Sequence, residues 1–312
     1  MDVVFCGTPQ FAVPTLDSLV AAGHKVRLVV SQPDRPSGRG QQLSISAVKQ
    51  RALEQGLPVA QPQSIKNNAE FRAQLEALRP QAIIVVAYGR IIPQWMIDLP
   101  PLGNLNAHAS LLPKYRGAAP IQWAIANGES VTGVTTMRID AGLDTGDMLL
   151  QAETPIAPDD TAETLSPKLA ELGAALMVET LQRLEAGKLT PTPQDNSRAT
   201  LAPILRKEDG RIDFSRSAQE IHNRLRGFQP WPGAFTTFHG KSLAVISARP
   251  LGPGGDLVPA ARIRLIGDRL LVGAARDTAL EILELQPEGK KKMPVADFVN
   301  GYKPKSGEML GP

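Results

Sequence analysis

"AIIVVAY", residues 82–88, is apolar up to its closing tyrosine and rich in β-branched side chains. A strand with one wet face alternates apolar and polar residues; this one does not, so both of its faces must be covered. Such strands belong inside parallel sheets flanked by helices. Reading outward, short apolar runs and helical patterns alternate. "DVVFCG" (2–7) precedes a helical stretch stopped by Gly23, and "KVRLVVSQ" (25–32) follows. A helix is expected from Ser46 to Gln55, then "LPVAQ" as a third strand, then the amphipathic "NAEFRAQLEALRP", which leads into 82–88. Beyond it come a strand in "LGNLNAHA", a helix in "PIQWAIANG" with Pro in its first turn and Gly at its end, and a strand in "TGVTTMRID" (132–140). A helix over about 161–187, capped by Asp160 and Glu163 and stopped by Gly187, closes this part. The succession predicts an α/β fold with a doubly wound, mostly parallel Rossmann-like sheet.

The 312 residues call for two domains at roughly 150 residues each. "KLTPTPQDNSRATLAPIL", rich in Pro, Thr and small polar residues, reads as the junction. The expected division is a first domain at 1–189, a linker at 190–207 and a second domain at 208–312. In the second, "SAQEIHNRLRGF" gives a short helix with a Ser217/Glu220 capping box, and Gly-punctuated strands with a hairpin tip at His239–Gly240 predict a small, OB-like β-barrel.

Hydrophobic residues make up 42% and charged residues 21%, a globular balance. No apolar run approaches the ~20 residues needed to span a bilayer, so no membrane partner is expected. The lone Cys6, inside the first strand, gives no disulfide framework and reads as an inert buried thiol of a cytoplasmic protein. The net charge of +3 is uneven: residues 1–205 hold 17 Lys+Arg against 19 Asp+Glu, and the remainder 17 against 12. A basic C-terminal part points to a polyanionic partner.

The chemistry concentrates in "NLNAHASLLPKYRGAAP" (104–120). Residues two apart on a strand share a face, so Asn106 and His108 point the same way near the carboxyl end of a late strand, where doubly wound sheets place ligands. Asn offers a neutral donor to a developing oxyanion, and His moves protons near neutral pH. A carboxylate partner is sought in "IDAGLDTGDMLL" (139–150), where Gly142 and Gly146 bracket Asp144; Asp140 and Asp147 are rivals. Those glycines suggest close backbone approach to a ligand. A nicotinamide dinucleotide site is excluded at the first βα turn, since "GTPQFAVP" lacks the G-x-G-x-x-G pattern. The four histidines, at 24, 108, 222 and 239, lie far apart and form no metal-ligand spacing.

Together, "GTPQFAVPTLDSL", "SQPDRPSGRG", "VVAYGRIIP", "LNAHASLLPKYRGAAPIQWAI", "GLDTGDM", "FQPWPGAF" and "QPEGKKKM" resemble the methionyl-tRNA formyltransferase family, in order over nearly the whole chain. The resemblance implies transfer of a formyl group from 10-formyltetrahydrofolate to the α-amine of methionyl-initiator tRNA. A monomer is expected, and no metal, because the donors already neutralise the developing charge. The same resemblance places the catalytic trio on Asn106, His108 and Asp144, and the folate-contacting segment on Ser110, Leu111, Leu112 and Pro113. An inserted loop that reads the tRNA acceptor end falls on about 32–43, with Arg35 and chiefly Arg39. Ala109 stands where some relatives have Gly, one added methyl. Arg206, Lys207, Arg224, Arg226, Lys290, Lys291 and Lys292 are expected phosphate contacts, whose engagement would make binding fall steeply with salt. Three rivals remain at this stage: a formyltransferase acting on a small amine, a formylfolate hydrolase, and a non-catalytic RNA-binding protein.

Overall fold

The structure is a computed structural model that describes residues 1–37, 42–253 and 258–311. By contacts the chain forms two compact units, one of Met1–Pro120, Val131–Pro155 and Ser166–Pro203, the other of Ile121–Ser130, Ile156–Leu165 and Ile204–Pro312.

The elements run β1 (Asp2–Gly7), α1 (Val13–Ala21), β2 (Lys25–Val30), a short hairpin β3 (Arg35–Ser37) and β4 (Gln42–Ser44), α2 (Ala47–Glu54), β5 (Val59–Ala60), α3 (Ala69–Leu78), β6 (Ala82–Val86), α4 (Gln94–Ile97), β7 (Asn104–His108), α5 (Pro120–Ala126), β8 (Val131–Arg138), β9 (Met148–Pro155) and α6 (Ala162–Glu185). Seven strands form one sheet in the order β5-β2-β1-β6-β7-β8-β9. The first five are parallel, and β8 and β9 add on antiparallel. Every residue of β6 is buried, as its unbroken apolar sequence demands. One face of the sheet packs Val4, Cys6, Ile83 and Val85 against Phe71, Leu75 and Met96 of α3 and α4. Burial pushes the Cys6 thiol up, far from deprotonation. On the opposite side α6 lies over β7 and β8, where Gly173 approaches Ala107 and Val134 and the Thr180 hydroxyl meets that of Thr136 at 2.7 Å.

Two details differ from expectation. The start of α6 is capped by Thr161 and Thr164, each accepting from the other's backbone N–H, and not by Asp160 with Glu163. Asp160 instead accepts from the Ala157 N–H and the Thr164 hydroxyl. Of the expected linker, residues as far as Pro203 belong to the first unit: Thr192 exchanges backbone hydrogen bonds with Met148, and Arg116 with Thr200 and Ala202. Polar, proline-rich composition marks a segment without its own core, not one without partners.

The second unit holds α7 (Ala218–Gly227), β10 (Ala234–Phe238), β11 (Lys241–Leu251), β12 (Ile263–Ile266), β13 (Arg269–Gly273), β14 (Ala279–Pro287), β15 (Met293–Pro294) and α8 (Val295–Tyr302). Ser217 and Glu220 form the expected capping box of α7. His239 and Gly240, both at positive φ, make the two-residue turn between β10 and β11. The antiparallel order is β10-β11-β14-β13-β12, with β15 beside β14. Residues 307–311 bridge the outer strands, since Leu310 N–H donates to Ala261 and Gly311 N–H to Thr237 of β10. The barrel interior is filled by Phe238, Val245, Ile263, Val272, Ile282 and Phe298. Among the described residues no helix is long and apolar enough to cross a membrane.

Two arginines expected to meet phosphate are committed inside this unit. Arg226 is buried, its guanidinium donating to the carbonyls of Asp160 (2.8 Å) and Ala157 (3.3 Å) and to Asn223 Oδ1 (3.0 Å). Arg224 stacks over Phe228 and Trp123, at 4.8 and 5.6 Å from the ring centres, and donates to the Asp209 carbonyl. Desolvation, chiefly, lowers the pKa of both, and it pushes neighbouring His222 down to about 4. Arg226→Met should therefore cost about 2 kcal/mol of stability by removing three donated hydrogen bonds, although the Ala157 carbonyl keeps the Asp160 N–H and Asn223 Oδ1 keeps the Gln219 amide. It should leave unchanged the salt dependence of binding to the polyanionic partner that the basic C-terminal part leads one to expect, which titration at several ionic strengths checks.

Candidate active site

Asn106 and His108 stand on the face of β7 opposite α6, paired in register with Met137 and Thr135 of β8. His108 is 6% exposed. Its Nε2 lies 2.9 Å from the Tyr115 carbonyl oxygen, which only accepts, so Nε2 carries a proton and Nδ1 is the nitrogen left for chemistry. Nδ1 faces Asp144 Oδ2 at 3.6 Å, an ion-pair distance too long for a direct hydrogen bond. The amide of Asn106 is half-buried and has no hydrogen-bond partner among the described residues.

Asp144 arrives by an indirect route. Because β8 runs antiparallel to β7, the loop after Arg138 begins level with Asn104, at the opposite end of β7 from His108. The loop, residues 139–147, then folds back along the sheet face that carries Asn106 and His108. Asp144 sits at φ 52°, a left-handed backbone uncommon for a side chain other than Gly or Asn. Its Oδ2 accepts from Gly117 N–H at 2.9 Å. The rival Asp140 is spent inside the loop, accepting from Gly142 N–H and from the Thr145 hydroxyl. The flanking glycines are explained by the chain's approach to itself and not by a ligand. A methyl on Gly146 would collide with the Arg138 carbonyl oxygen, and one on Gly142 with the Thr145 hydroxyl.

The turn after His108 is cross-braced from β8 and β9. Thr135 Oγ1 donates to the Ser110 carbonyl (2.7 Å) and accepts from Leu112 N–H (3.1 Å), while Gln151 Nε2 donates to the Leu112 carbonyl (2.9 Å). Ser110 is fully buried with its hydroxyl donating to the Lys114 carbonyl, and Leu112 is 4% exposed. In the expected folate-contacting segment 110–113 these two side chains therefore shape the turn, which leaves their backbone and their neighbours to face a ligand. Leu111, half-buried over Gly133, and Pro113 are left at its surface.

Sequence reasoning missed Thr135, Gln151 and Gln194. Gln194 Nε2 donates to the carbonyls of Asp144 (2.8 Å) and Gly146 (2.7 Å). A Thr-Thr pair in an otherwise buried strand was a readable signal for Thr135; nothing in the composition around Gln194 marks it.

The remaining expected residues lie apart from this cluster. The ends of β1, β2 and β6 are tied by Thr8, whose hydroxyl donates to the Tyr88 carbonyl, and by Gln32, whose amide donates to the carbonyls of Tyr88 and Gly89. Exposed Arg35 donates to Gln32 Oε1 at 3.2 Å. Arg39 lies outside the described residues. In the second unit Arg206, Lys207, Lys290, Lys291 and Lys292 are all exposed, on two separate turns of the chain.

Residues 1–181 match the formyl transferase family and residues 204–303 its C-terminal domain. The chain is 68% identical over 311 residues to the methionyl-tRNA formyltransferase of Koribacter versatilis, covering 100% of this chain and 99% of that protein. It is 65% identical to the enzyme of the same name from Acidobacterium capsulatum, over 96% of each. A solved N-formyltransferase of Helicobacter canadensis, in complex with folinic acid and dTDP-3-aminofucose, superposes with a TM-score of 0.66 at 19% identity, covering 91% of this chain and 98% of that one, which shows a shared fold.

Proposed function

The chain belongs to the formyl transferase family, and we infer from that premise that it formylates the α-amine of methionyl-initiator tRNA, giving N-formylmethionyl-tRNA for translation initiation. The one-carbon donor is 10-formyltetrahydrofolate, and the acceptor end is delivered by tRNA bound to the basic C-terminal domain. Asn106, His108 and Asp144 carry the chemistry, with no metal, in a cytoplasmic monomer. The observation that supports this reading is the convergence of the three side chains on one sheet face, with the carboxylate 3.6 Å from the imidazole.

The folate supplies a formyl carbon bound to nitrogen; the amine nitrogen bonds to that carbon as the original carbon–nitrogen bond breaks, and the amine's proton ends on the departing nitrogen. The unpartnered Asn106 amide suits this demand: it can aim an N–H at the formyl oxygen as negative charge develops there. His108 adds a second donor through Nδ1–H, because Tyr115 already occupies Nε2–H. Asp144, fixed by the Gly117 N–H, takes the amine's proton and hands it to the departing folate nitrogen, while its carboxylate favours the imidazolium form of His108 across the 3.6 Å gap. Leu111 and Pro113 form the apolar edge against which the folate is held. Residues 1–189 carry this catalytic work, and 208–312 the RNA contacts, with Arg35 and Arg39 reading the acceptor end.

Incubation of the pure protein with 10-formyltetrahydrofolate and methionyl-initiator tRNA should yield formylmethionine after deacylation. Formylation of a small free amine in preference to the charged tRNA, or formate release with water as sole acceptor, would overturn the reading.

A further inference from the structure

We propose that Gln194 is a positioning residue for formyl transfer, acting by holding the backbone of Asp144 in its reactive placement. The proposal rests on the assignment of His108 and Asp144 as the reacting pair. Asp144 lies in a left-handed conformation at the turn of a loop that must fold back along the sheet. Such a backbone persists when its surroundings over-determine it. Gln194 does so: one amide nitrogen donates to the carbonyls on both sides of Thr145, at 2.8 and 2.7 Å.

The amide itself cannot rotate. Its Oε1 accepts from both Nε and Nη2 of Arg116, at 3.0 and 2.7 Å, and the same Nη2 donates to Asn196 Oδ1 at 2.8 Å. Arg116 is 7% exposed, so the fork is shielded from water. A guanidinium has donors alone, and therefore dictates which end of Gln194 faces the loop. Residues 115–117 consequently grip the reacting pair three times. The Tyr115 carbonyl sets the His108 ring, the Arg116 side chain sets Gln194, and the Gly117 N–H sets the Asp144 carboxylate. Gln194 is the member of this set that comes from the far, polar segment.

Gln194→Glu separates positioning from packing. Glutamate keeps the length and the pairing with Arg116, but a carboxylate cannot donate to the two loop carbonyls. Assayed well below its thermal midpoint, the variant should lower kcat by tenfold to roughly 10²-fold, the scale on which small misplacements act, with KM for both substrates held near wild type; the midpoint itself falls by what two carbonyls without that donor cost. Combined with Asp144→Asn, it should produce no further loss, because its effect runs through Asp144. Multiplicative losses in the double variant, an unchanged kcat, or a kcat loss that disappears when the assay is run further below the thermal midpoint would each overturn the proposal. Should the Glu variant fail to fold, Gln194→Met, of similar length and uncharged, carries the same comparison. Wild-type turnover in Asp144→Asn alone would instead overturn the assignment of the reacting pair.

Discussion

Asn106→Ala is expected to slow formyl transfer by roughly 10²–10³-fold while leaving the melting temperature unchanged, the loss typical of a single oxyanion donor. The expectation is unusually clean, because the Asn106 amide has no partner among the described residues and its removal orphans none of them. His108→Ala should lose at least as much turnover, but also some stability. It removes a buried hydrogen bond to the Tyr115 carbonyl, a loss that costs about 1–3 kcal/mol. Comparing single-turnover rates with thermal midpoints for the Asn106, His108 and Asp144 alanine variants therefore tests roles as well as location. Turnover within about threefold of wild type in all three would refute the site.

Gly133→Ala should be among the most damaging small substitutions outside the reacting groups. Gly133 lies in β8 opposite β9, and a methyl there would collide with the Ala152 carbonyl oxygen and sit 2.6 Å from Leu111 Cδ2. The carbonyl belongs to a paired strand and cannot swing aside, so β8 and β9 must part. Overpacking of this kind costs about 3 kcal/mol. The displaced Leu111 also carries the turn after His108 with it, so activity should fall further than stability alone accounts for. Urea denaturation and formylation assays on the same preparation measure the two effects. Wild-type values in both would show that β8 has slack this packing denies.

The sheet was legible because its signal is local. An unbroken apolar β6, helices ended by glycine or proline and a capping box at Ser217 each depend on neighbours in sequence. The reacting pair was legible in part: spacing put Asn106 and His108 on one face, and Asp144 stood out between glycines. What no local pattern carries is the antiparallel return of β8, which starts the Asp144 loop at the far end of β7 and makes it double back. The bracing by Thr135, Gln151 and Gln194 was hidden for the same reason, since each reaches across 16 to 78 residues to its partners. Charge misled at Arg226. It lies three positions after the buried Asn223, on a flank of α7 other than the Ile221–Leu225 stripe, and that flank is covered by carbonyls and not by solvent.

The grip exerted by residues 115–117 has an evolutionary corollary. Three successive positions seize an imidazole, an amide and a carboxylate from separate parts of the chain, so the number of residues between His108 and Gly117 becomes part of the catalytic apparatus. Side chains along that interval can drift as long as the turn keeps its shape. A single inserted or deleted residue would throw all three handholds out of phase together, and lineages carrying this chemistry should vary in spelling there, never in length.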